Sequence, residues 1–69
     1  MMENDELIDL HQRLEEFRLE HRDLDVAIQA LIETGYPDQL RMSRMKKRKL
    51  QLKDAIARIE SKLIPDLNA

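Results

Sequence analysis

Two histidine–carboxylate pairs, one run of cations and a few hydroxyls are the only groups in this 69-residue chain with the makings of a chemical site. His11 with Glu15, and His21 with Asp25, each stand four residues apart, about one helical turn, so each pair could offer two ligands to a metal ion. A stable site needs three or four ligands and no third is recognisable, so both pairs are expected to be ordinary helix-face contacts, with no metal bound. The run from Arg41 to Lys53 holds seven cations in thirteen residues: Arg41, Arg44, Lys46, Lys47, Arg48, Lys49 and Lys53. Such a run can bind phosphates and would make a nucleic-acid face. No aromatic residue interleaves it, so it offers no stacking platform for single strands. Its other use is to complement acidic residues of the same chain. Thr34, Tyr36, Ser43 and Ser61 have no activating histidine nearby in sequence, and no glycine-rich phosphate loop or cofactor motif is present. Neither catalysis nor a cofactor is expected.

The elements that must carry these groups are organised around Thr34-Gly35-Tyr36-Pro37-Asp38, which holds the only glycine and the first of two prolines. Glycine readily takes the left-handed position that closes a helix, and proline disfavours a helical residue before it. Asp38 can cap a new helix by accepting from its free amides. Before the turn, Leu7, Leu10, Leu14, Phe17, His21, Leu24, Ile28 and Leu31 follow at alternating spacings of three and four. After it, Met42, Met45, Lys49, Leu52, Ile56, Ile59 and Leu63 do the same. Each is an unbroken heptad seam with one polar member, His21 and Lys49. Asn4, Asp5 and Glu6 suit a helix start, and Pro65 a helix stop. The expectation is one domain over 1–69: helix 1 over about 4–34, a turn at 34–38, helix 2 over about 38–64 and a short tail.

Folding the seams together pairs Leu31 with Met42, Ile28 with Met45, Leu24 with Lys49, His21 with Leu52, Phe17 with Ile56, Leu14 with Ile59 and Leu10 with Leu63. Every pair of residue numbers sums to 73, so no layer is skipped. Asp25 then falls near Lys46, His11 near Glu60 and Arg18, less favourably, near Lys53. His21 and Lys49 occupy adjacent layers and form a candidate polar register pair, with Lys49 expected to lie across Leu24 and reach Asp25 or Glu20. Charge supports the fold-back: residues 1–34 carry −7 and residues 35–69 carry +5. A second apolar set lies off the seam: Ile8, Leu19, Val26, Ile32, Leu40, Leu50, Ala57 and Ile64. Two helices alone leave a seam half open, so these residues form a candidate self-association surface, and assembly into a helical bundle is expected.

His21-Arg22-Asp23-Leu24-Asp25 on helix 1, and Met45 to Ile56 on helix 2 with Lys46, Lys49, Leu50, Leu52, Lys53 and Asp54, resemble the YdcH-like family of small bacterial proteins. The resemblance covers most of residues 10–63. Met42 and Met45 stand where leucine is commoner in that family, and Ala55 where an acid is common. The resemblance implies a short coiled-coil hairpin and no established activity.

Sequence alone therefore points to an all-α, two-helix antiparallel coiled-coil hairpin. The chain has no cysteine, which leaves out disulfides and thiolate chemistry. Its start lacks the basic and apolar regions of a secretory signal, and no window approaches the roughly 18 apolar residues of a membrane span. The expected role is that of a small cytoplasmic interaction protein, a homo-oligomer docking on a protein partner. The alternative is a nucleic-acid or ribosome-associated factor using the basic face of helix 2, formed by Arg41, Arg44, Lys46, Lys47, Arg48 and Lys53.

Overall fold

A computed structural model describes residues 4–35 and 38–63. Two helices, α1 (Asn4–Glu33) and α2 (Gln39–Leu63), run antiparallel and pack on each other, with no strand among the described residues. The result is the expected all-α hairpin, a rod of about 50 × 24 × 15 Å. Tyr36 and Pro37 of the turn, and Ile64, Pro65 and Leu67 at the far end, lie outside the described residues.

Local chemistry accounts for the helix ends. Asp5 and Glu6 place negative charge in the first turn of α1, where its free amides point. At the other end, Thr34 N–H donates to the Leu31 carbonyl at 3.3 Å and Gly35 N–H to that of Ile32 at 3.2 Å. The Thr34 hydroxyl also donates to the Leu31 carbonyl, at 2.6 Å. Gly35 has φ of +78°, the left-handed region that β-carbons disfavour. A β-carbon there would meet nothing within 4 Å, so glycine is needed for its backbone and not for space. Asp38 starts α2 by accepting from the Arg41 amide through its side chain, at 3.1 Å, and from the Met42 amide through its carbonyl, at 2.9 Å.

Packing follows the seam. Leu14 and Ile28 of α1, with Met42, Leu52 and Ile59 of α2, are buried, and the remaining seam residues are half-buried. Leu52 is 1 % exposed, the deepest side chain of the core. No seam residue is fully exposed, because the 3–4 spacing holds one stripe against the partner helix along its whole length. The hairpin thus has a single apolar layer, flanked by half-buried Glu20, Ala27, Ala55 and Glu60, and the other described residues of the two helices are exposed.

Candidate interaction surface

Three ion pairs fasten the helices along the seam edges. Arg18 Nη2 donates to Glu60 Oε2 at 2.6 Å. Arg48 grips Glu20 with two nitrogens, Nε at 2.8 Å and Nη2 at 3.2 Å. Lys49 Nζ meets Asp25 Oδ1 at 2.5 Å. The paired residue numbers sum to 78, 68 and 74, bracketing the 73 of the seam layers. The Lys49–Asp25 pair is the reach expected of Lys49, and two of these pairs also displace expected flanking contacts. Asp25 takes Lys49 instead of Lys46, since the ammonium leaves the apolar seam for the nearest edge carboxylate. Glu60 takes Arg18 instead of His11, the long guanidinium side chain reaching the carboxylate across the seam edge. His11 instead donates from its own ring to the Leu7 carbonyl at 2.7 Å.

These contacts tune the groups involved. Hydrogen bonding from Arg48 holds the Glu20 carboxyl below its ordinary range, and the same pairing raises the Arg48 guanidinium. Hydrogen bonding from Lys49, then its charge, and a lesser contribution from His21, lower the Asp25 carboxyl. All of these carboxylates are well exposed, so each pair adds little to stability.

His21 is half-buried and makes no hydrogen bond within the described residues. Its neighbour in the seam pattern, Lys49, keeps a third of its side chain exposed and escapes sideways to Asp25. Among the described residues no three histidine or carboxylate side chains come together as a metal site.

Of the basic run, only Arg48 and Lys49 are engaged with α1. Arg41, Arg44, Lys46, Lys47, Lys53 and, further on, Lys62 form no ion pair among the described residues. The acids of α2 are already committed, Asp54 to Arg58 at 3.1 Å and Glu60 to Arg18. On α1 the surplus has the opposite sign: among the described residues Asp5, Glu6, Glu15, Glu16, Asp23 and Glu33 form no ion pair, nor does the cation Arg22, while Asp9 takes Arg13 at 3.1 Å.

Apolar side chains interrupt both charged faces. Ile8, Leu19, Val26 and Ile32 on α1 and Leu40 and Leu50 on α2 are 47–68 % exposed, and Ala57 is exposed beside them. Two shallow grooves centre on these residues. One runs along α2 between Lys47, Leu50, Lys53 and Ala57, and the other along α1 between Glu15, Glu16, Leu19 and Arg22. Ile64, the last member of the off-seam set, lies outside the described residues.

Sequence reasoning missed the Glu20–Arg48 fork. A signal existed, because each residue immediately precedes the polar member of its seam, His21 and Lys49, and so sits at the edge of the interface.

No helix among the described residues is long and apolar enough to cross a membrane. The family model described as "Protein of unknown function (DUF465)" matches residues 14–60, consistent with the YdcH-like resemblance of the seam motifs. No curated protein and no solved structure matches the chain.

Proposed function

The chain belongs to the DUF465 family of proteins of unknown function, and from its surface we propose a small cytoplasmic interaction protein that self-associates and docks on a protein partner, with no catalysis and no cofactor. The observation that carries this reading is the mismatch between core and surface. Among the described residues five side chains are buried, whereas six large apolar side chains stand 47–68 % exposed on the outer faces of the same two helices. Hairpins with one apolar layer sit near the lower size limit for independent stability, and covering a second layer is the usual remedy. Leu19 and Val26, like Leu50 and Ala57, are seven residues apart, so each pair forms a short stripe that another helix can cover.

Light scattering across micromolar concentrations tests the reading. The expected result is a mass that rises above 8.2 kDa as concentration increases, together with a rising melting temperature. A single 8.2 kDa species at every concentration, still folding cooperatively, would remove the basis for self-association.

A further inference from the structure

We propose that the outer face of α1 in one copy docks on the outer face of α2 in a second copy, head to tail; the inference rests on the self-association proposed above and specifies which faces meet. Charge selects the pairing. Once the ion pairs among the described residues are formed, the charged groups left over on α1 are acidic apart from Arg22, and those left over on α2 are basic. An α1–α1 contact would bring carboxylates together and an α2–α2 contact would bring cations together. Only α1 against α2 joins opposite signs.

Apolar residues sit at the centre of both charged faces. Leu19 lies between Glu16 and Asp23, at three and four residues, which places both carboxylates beside it on the helix surface. Leu50 lies between Lys47 and Lys53, three residues to either side. Leu19 is 57 % and Leu50 68 % exposed, so each presents an apolar knob; the flanking charge is mainly acidic on α1, with Arg22 the exception, and mainly basic on α2, where Asp54 is already paired with Arg58. Setting Leu19 against Leu50 matches Glu16 and Asp23 with the two lysines. A polyanion such as nucleic acid would cover the α2 face alone, be repelled by α1 and leave Leu19 and Val26 in water.

A head-to-tail contact between two different faces is heterologous, so each added copy leaves one face of each kind unused and assembly continues until a ring closes. This gives a decisive experiment. One variant carries Glu16→Gln, Leu19→Gln and Asp23→Asn, which removes the α1 face. The other carries Lys47→Gln, Leu50→Gln and Lys53→Gln, which removes the α2 face. All six positions are exposed, and circular dichroism checks that each variant keeps its helicity. At a concentration where the unaltered protein grows beyond two copies, each variant alone should stay at 8.2 kDa. Their equimolar mixture should give a species that stops at two chains, because one intact α1 face meets one intact α2 face. A second pair keeping Leu19 and Leu50, with only the charges neutralised, should show the same rescue, weakened. If the unaltered protein assembles and the mixture does not, the α1-to-α2 pairing is wrong. If the unaltered protein never exceeds 8.2 kDa, the self-association beneath it is wrong as well.

Discussion

Replacing Leu52 by alanine should lower the melting temperature by on the order of 15 °C. Leu52 is the deepest described side chain of the hairpin, 1 % exposed, and the seam register sets it opposite His21 instead of a second apolar residue. Truncating a buried leucine costs about 3 kcal/mol, the lost transfer free energy plus the cavity left behind. In a chain of this size each kcal/mol moves the melting temperature by roughly 4–8 °C. Total stability at this length is only about 3–10 kcal/mol, so the variant stands close to unfolding. Leu50→Ala is the control: two residues away and 68 % exposed, it should change the intrinsic stability of the hairpin by less than about 0.5 kcal/mol. Its effect should appear instead as weaker assembly. Thermal melts followed by circular dichroism at several concentrations separate the two. Equal losses for Leu50→Ala and Leu52→Ala would contradict the assigned seam.

Lys49→Leu should act in the opposite direction, raising the melting temperature by about 5 °C while broadening the distribution of assembly states. The lysine breaks an otherwise apolar stripe, and its ammonium leaves the seam to reach Asp25. A leucine there adds roughly 1 kcal/mol of burial against Leu24, and the lost ion pair is an exposed one worth little. A polar seam residue restricts the registers and partners a helix can choose, so removing it loosens that choice. The pH response supplies a second readout. The folded-state Asp25 carboxyl lies below its ordinary value because of Lys49, so the stability from this pair is present above the unfolded carboxylate range, around pH 4. It is lost as pH falls through the lowered folded value. Lys49→Leu should therefore flatten part of the acid-side decline. A variant that melts higher with one unchanged, homogeneous assembly would leave Lys49 as a side chain that merely escapes to solvent.

The fold was legible because its signals agree. Fifteen seam residues keep the 3–4 spacing without a break, the sole glycine falls where the chain must turn left-handed, and Asp38 stands one residue before α2. The ion pairs were less legible for a physical reason. Arg18, Arg48 and Lys49 are long enough to choose among carboxylates a turn apart, and rotamer and local repulsion make that choice, not sequence spacing. Arg18 thus bridges to Glu60 where the layer count sets it opposite Lys53. The candidate surface was legible as composition, in the off-seam apolar set and the two charged halves. Its division into an acidic and a basic unpaired face emerges only after the internal pairs are known. The biological partner leaves no such trace, because a helical docking face needs no catalytic or ligating residue.

The hairpin, its ion pairs and its outer faces all depend on the seams closing in one register, and the chain's single phenylalanine gives a direct way to see it. Phe17 belongs to the layer of Ile56, so proton NMR should show nuclear Overhauser contacts from the Phe17 ring to the Ile56 methyl groups. A slip of one heptad would carry those contacts to Lys49 or Leu63, about 10 Å along the helix. Ring contacts centred on Ile56 are the predicted result, and ring contacts to Lys49 or Leu63 in their place would contradict the account.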